Sequence, residues 1–110
     1  MKRIPSIALV LLLAVILAPG AQAQDDARKI EKGQAVFAAQ HCSMCHAVAG
    51  KGNPRTPLDN VGGTLKPEEI RKYIVTPTAV KADSKMKAYP SLPAADLDAL
   101  VAYLSTLKKK

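Results

Sequence analysis

The sequence predicts a small all-α domain, three main helices wrapped around a core that its own side chains cannot fill. Three observations carry this. Apolar residues recur at spacings of three and four in three separate segments, and no period-2 strand pattern appears between them. Only four aromatic residues occur, Phe37, Tyr73, Tyr89 and Tyr103, thin apolar mass for a chain of 110 residues. Finally, Cys42-Ser43-Met44-Cys45-His46 reads Cys-x-x-Cys-His, the attachment signature of a c-type haem, and these are the chain's only cysteines. A large flat cofactor would supply the missing apolar mass.

The elements follow in order. Lys2 and Arg3 open the chain, Ile7 to Ala18 is an unbroken apolar run, and Pro19-Gly20 ends it before the small-x-small triplet Ala21-Gln22-Ala23. This is the layout of a secretory signal peptide. The run falls short of the about 20 residues that a membrane span needs, although an uncleaved anchor stays open. Cleavage after Ala23 divides the chain into a leader, 1–23, and a domain, 24–110, of 87 residues. Losing Lys2 and Arg3 leaves 14 basic and 9 acidic residues, a formal net charge of +5. A mildly basic surface suits an acidic protein partner or an anionic membrane surface. Nucleic acid is not expected after export, and no stripe of arginines interleaved with aromatics appears.

The first helix is expected from about Asp26 to His41, with Asp25 or Asp26 as N-cap. Ile30, Gly33 and Phe37 form one face of it. Gly33 costs such a helix about 1 kcal/mol against alanine, which suggests that another element approaches closely there. The helix leads into the haem motif. Two thiols three residues apart lie on one face of a helical turn and can add to two vinyl groups along one haem edge. His46 then sits under the iron as the proximal ligand. A thioredoxin-like pair would need a βαβ context, and a zinc site would need ligands beyond the one other histidine, His41.

A loop rich in glycine and proline is expected from Ala49 to Gly63. Pro57 within it is either an ordinary turn proline or the carbonyl that accepts a hydrogen bond from the far nitrogen of His46, fixing its tautomer. The second helix starts at Pro67-Glu68-Glu69, where proline and acids suit a first turn. It buries Ile70, Tyr73 and Ile74, and it stops near Val75 because Pro77 disfavours helix at Thr76. The third opens around Pro93 and runs to about Lys108 on Leu97, Leu100, Val101 and Leu104. The closing Lys108-Lys109-Lys110 suits a helix C-terminus and solubility.

Between the last two helices, Met86 lies in a polar segment without a helical stripe. An iron held by His46 has an open sixth position, and Met86 is the natural candidate. Met1 leaves with the leader, and Met44 and His41 are tied to the proximal side. Lys85 and Lys87 are rivals only when deprotonated at high pH, and a sixth position left open is a further alternative.

Taken together, the chain resembles the class I, mitochondrial-type cytochromes c in their small bacterial periplasmic monohaem form. The resemblance covers Ala27 to Lys108. It rests on Gly33 and Phe37, on Cys42, Cys45 and His46, and on Pro57-Leu58. Lys66 to Ile70, Ser84-Lys85-Met86, Tyr89-Pro90 and Ala99 to Leu104 complete it. It implies a single covalent haem c on Cys42 and Cys45, with His46 and Met86 as axial iron ligands. It also implies first and last helices crossing at Gly33 beside Phe37 and Tyr103, Pro57 as the partner of His46, and Tyr73 near a haem propionate. Relatives often have tryptophan near Tyr73, glycine in place of Asp83 and proline in place of Lys87, and this chain departs at all three.

The resemblance further implies a periplasmic carrier of single electrons that is not itself an enzyme. It is expected to meet redox protein partners, donor and acceptor, through an acidic patch on them facing Lys51, Lys85 and Lys87. The carrier would be a monomer or a subunit of a hetero-complex, with no stable membrane insertion after cleavage. The same fold could instead serve as a fixed haem subunit of a larger dehydrogenase or oxidase. A ligand-binding or peroxidatic protein with a labile Met86, and a haem-free dithiol protein, are the remaining alternatives. With so little apolar mass of its own, the chain is expected to need its haem to fold.

Overall fold

A computed structural model describes residues 19–109. The expected leader falls almost wholly outside them. Five helices dominate: α1 (Pro19–Ala39), α2 (Val61–Thr64), α3 (Pro67–Val75), α4 (Pro77–Val80) and α5 (Ala94–Ser105). Between α1 and α2 lie a 3-10 turn at Cys42–Met44 and two short antiparallel strands, β1 (Ala47–Val48) and β2 (Lys51–Gly52). None of the described helices is long and apolar enough to cross a membrane.

Helices α1 and α5 cross at Gly33, as expected. A Cβ on Gly33 would stand 2.5 Å from Tyr103 Cβ and closer still to the Ala99 carbonyl oxygen. Two helix backbones therefore touch here, and only a residue without a side chain permits it. Beside the crossing, the Phe37 and Tyr103 rings meet edge to face, with centroids 5.9 Å apart. Val36, Ile70, Ile74, Leu97, Leu100, Val101 and Leu104 fill the core with Tyr103, while Ile30 and Phe37 pack half-buried at its rim. Lys32 pairs with Asp96 at 3.4 Å across α1 and α5, and Arg71 of α3 pairs with Asp98 of α5.

Helix α3 has its expected bounds. The Lys66 N–H donates to the Glu69 carboxylate at 3.1 Å, satisfying one donor at its start. Thr76 has left the helical region before Pro77, with φ −144° and ψ 75°, and its N–H closes the helix on the Lys72 carbonyl at 2.8 Å.

Several boundaries differ from expectation. Helix α1 already covers Pro19 to Gln24 and stops at Ala39, because His41 turns left-handed with φ 57°. The haem motif is thus a separate tight turn and not a continuation of the helix. Helix α5 ends at Ser105 instead of near Lys108. The Thr106 N–H and hydroxyl both donate to the Tyr103 carbonyl, and the tail then straps the 60–62 segment. There the Gly62 N–H donates to the Leu107 carbonyl at 2.8 Å, and the Lys109 N–H to Asn60 Oδ1 at 2.8 Å. So Lys108-Lys109 belong to a strap and not to a helix end.

The expected 49–63 loop is partly ordered. Val48 pairs with Lys51 across the two-residue turn Ala49-Gly50, whose φ values of 52° and 78° are both left-handed. That is the turn a tight hairpin uses, with glycine where it belongs and alanine in a strained position. The Ala49 N–H is held by Asp59 Oδ1 at 2.7 Å.

Candidate functional site

A cleft of about 920 Å³ opens beside the core, with Cys42, Cys45, His46, Pro57, Tyr73 and Met86 all on its lining. Its apolar walls include Leu58, Ile70, Ile74, Leu100 and Leu104. The fold therefore gathers onto one cavity residues spread over 45 positions of sequence.

The 3-10 turn positions the thiols. The His46 N–H donates to the Cys42 carbonyl at 3.0 Å, curling the motif over one turn. Both cysteines are free, Cys42 half-buried and Cys45 exposed. Burial pushes the Cys42 thiol up from its ordinary pKa, partly offset by a backbone hydrogen bond, with the neighbouring Cys45 thiol adding to the rise.

Asn53 fastens the turn from the other side. Its N–H donates to the Ser43 carbonyl at 3.0 Å and to the His46 carbonyl at 3.1 Å, and its side-chain amide donates to the Met44 carbonyl at 3.1 Å. Met44 is 72% exposed, so it does not contribute to the cavity.

His46 is oriented by a backbone carbonyl, but not by the expected one. Its Nδ1 donates to the Thr56 carbonyl at 3.0 Å, where the sequence reading placed that of Pro57. The reason is the register of the chain. Residues 56–58 run parallel to Ala47, with the Ala47 N–H on the Thr56 carbonyl at 3.3 Å and the Leu58 N–H on the Ala47 carbonyl at 2.8 Å. Successive carbonyls of an extended segment point to opposite sides, so the one turned toward His46 precedes Pro57. Since a carbonyl only accepts, the bond requires the proton on Nδ1 and leaves Nε2 with its free electron pair, the form that binds a metal.

Met86 also lines the cavity, half-buried and packed against the core. Its N–H donates to Ser84 Oγ at 3.2 Å, a local turn at the methionine's backbone. Tyr73 is a half-buried member of the same lining. His41, Lys85 and Lys87 reach the rim, whereas Lys51 sits exposed on the hairpin.

Thr56, Asn53, Ser84 and Tyr89 escaped the sequence reading as functional supports. Asn53-Pro54 is a turn signal, and a serine two residues before Met86 is a local hydrogen-bonding signal. Nothing in the sequence marks Thr56, because its part is played by the backbone.

The donor set suits a covalent haem. Two thiols on one turn, an imidazole with Nε2 free and a soft thioether share one apolar cavity. The volume lies near the top of the ~300–1,000 Å³ range of cofactor pockets. Among the described residues no group of three or more Cys, His, Asp or Glu side chains forms a separate metal cluster.

Comparison with known proteins agrees with this chemistry. A family model described as Cytochrome c matches residues 30–108. A cytochrome c oxidase subunit 2 from Alkalihalophilus pseudofirmus is 34% identical over 86 residues, covering 70% of this chain and 25% of that protein. The chain thus spans about a quarter of the length of that relative.

Proposed function

The chain belongs to the cytochrome c family, whose haem serves electron transfer, and from that premise we propose that it is an exported, periplasmic monohaem carrier of single electrons, not itself an enzyme. The observation that carries this is the meeting of Cys42, Cys45, His46 and Met86 on one cavity. In this reading Cys42 and Cys45 would hold a haem as thioethers, each thiol adding across one vinyl C=C, the sulfur taking one carbon and the proton the other. His46 would bind the iron through Nε2, with the Thr56 carbonyl on Nδ1 holding the ring and raising its basicity. Met86 would be the second iron ligand from the chain, and its soft thioether would favour Fe(II) over what a second imidazole gives. When bound, haem supplies a one-electron couple of iron. With His46 and Met86 both on the iron, no place would be left there for a substrate. The apolar walls of Leu58, Ile70, Ile74, Leu100 and Leu104 exclude water and penalise the extra positive charge of the oxidised state.

Lys51, Lys85 and Lys87 are exposed, and in this reading they are the lysines offered to an acidic patch on redox partners. Tyr73 stands as the candidate for a propionate contact.

A second reading makes the chain a fixed haem relay within an oxidase. It is favoured by the likeness to a cytochrome c oxidase subunit 2. Co-purification with a catalytic chain from native membranes separates the relay from the free carrier.

The test of the main reading is expression in a host that exports and matures c-type cytochromes, followed by intact mass. The expected product is residues 24–110 plus one haem that stays attached in denaturant, and Cys42→Ala/Cys45→Ala abolishes the attachment. A colourless product from such a host would overturn the reading.

A further inference from the structure

We propose that Tyr89 is the positioning residue that keeps Met86 in place, by tying the loop that carries the methionine to two helix ends that border the cavity. The inference rests on the reading of Met86 as the iron's sixth ligand.

The 82–92 segment contains no helix or strand. Its bonds at Met86 are local, from the Met86 N–H to Ser84 Oγ at 3.2 Å and from the Ser84 N–H to the Lys81 carbonyl at 2.9 Å. Among the described residues, the hydrogen bonds that reach from this segment to distant parts of the chain are both made by Tyr89. Its N–H donates to the Ile74 carbonyl at 2.9 Å, and its phenol O–H donates to the Gln40 carbonyl at 3.2 Å.

Each acceptor lies at a helix end, where carbonyls lack partners within the helix. Ile74 is in the last turn of α3, and Gln40 follows α1 directly. Gln40 is also two residues before Cys42, so the phenol joins the loop that carries Met86 to the segment that bears the first thiol of the attachment motif. The ring is half-buried against the core and lines the cavity, with Lys87 Nζ 5.4 Å from its centroid. Tyr89 lies three positions after Met86, a reach of at most ~11 Å. A loop held only by Ser84 could swing Met86 away, whereas one pinned at Tyr89 keeps it near the cavity.

Tyr89→Phe removes the phenol bond alone and keeps the ring and the Ile74 bond. The measurement is the affinity of added imidazole for the oxidised holoprotein, read as the shift of the haem's main absorption band on imidazole ligation, a signal present with and without Met86. Losing one neutral hydrogen bond that favours the ligated loop is expected to tighten imidazole binding about two- to tenfold. In a Met86→Ala background the same substitution is expected to change nothing, because there is no longer a methionine to displace. Ser84→Ala is expected to act in the same direction and serves as an independent check on the loop.

An unchanged imidazole affinity in Tyr89→Phe overturns the proposal. So does an equal rise with and without Met86, which would mark a general loosening of the fold. If Met86→Ala alone leaves imidazole binding as it was, the ligation reading itself falls, and that outcome is distinct from the failure of Tyr89.

Discussion

Gly33 shows how one missing methyl can decide a fold. Taken within α1 alone, alanine would favour the helix by about 1 kcal/mol. In the structure its Cβ would press into the Ala99 carbonyl and stand 2.5 Å from Tyr103 Cβ. Backbone cannot step aside as a side chain can, so the crossing must open. Gly33→Ala is therefore expected to destabilise the holoprotein by about 1–3 kcal/mol net, measured by denaturant unfolding. A gain in stability would mean that the helices do not touch there. At the same scale, Cys42, Cys45, His46 and Met86 could be singled out because chemistry restricts which side chains can hold a haem, and the structure brings all four onto one cavity lining. Thr56 could not, since a backbone carbonyl carries no residue code. Pro57 was one position off, because only the pairing of residues 56–58 with Ala47 decides which carbonyl faces the ring.

Among elements, α3 and α5 stood out through regular apolar spacing, and the Pro67 start and Thr76-Pro77 stop of α3 were explicit in sequence. The single-turn helices α2 and α4 and the short hairpin were not, being too brief to show any period. Ala49 occupies a hairpin position that favours asparagine or glycine, so the usual turn signal was missing.

Arg71 and Asp98 link α3 to α5 at the surface. The hydrogen bond from Arg71 is the main cause holding the Asp98 carboxyl below its ordinary pKa. A lowered folded value means that the unfolded chain binds the proton more readily, so stability rises with pH through that range. The contribution is complete above the ordinary carboxylate pKa of about 3.9 and is lost as pH falls through the folded value. Asp98→Asn is expected to flatten this acid limb while leaving stability at neutral pH little changed, because the pair is exposed. Thermal melts at stepped pH check it. An acid limb that keeps its slope in the variant would remove the pair from the account.

For the whole molecule, the cavity of about 920 Å³ is nearly as much a part of the architecture as the core. Its lining shares Ile70, Ile74, Leu100 and Leu104 with the small core, so a haem seated there would add the apolar mass that the chain's own side chains lack. Cys42→Ala/Cys45→Ala protein without haem is thus expected to lack a cooperative thermal transition by calorimetry, and a sharp native-like melt would refute that coupling. The exposed lysines yield a second expectation at this scale. If Lys51, Lys85 and Lys87 steer an acidic partner, electron transfer to it slows as salt is raised. A transfer rate indifferent to ionic strength would discard the steering.

Local sequence determined the three main helices and the Cys-x-x-Cys-His motif, because periodicity, proline and thiol chemistry act over a few residues at a time. Which carbonyl orients His46, how far α5 extends before its tail straps Asn60 and Gly62, and how Tyr89 bridges Ile74 and Gln40 were decided only in three dimensions. Those contacts join backbone groups far apart in the chain, and a backbone group looks the same whichever residue carries it.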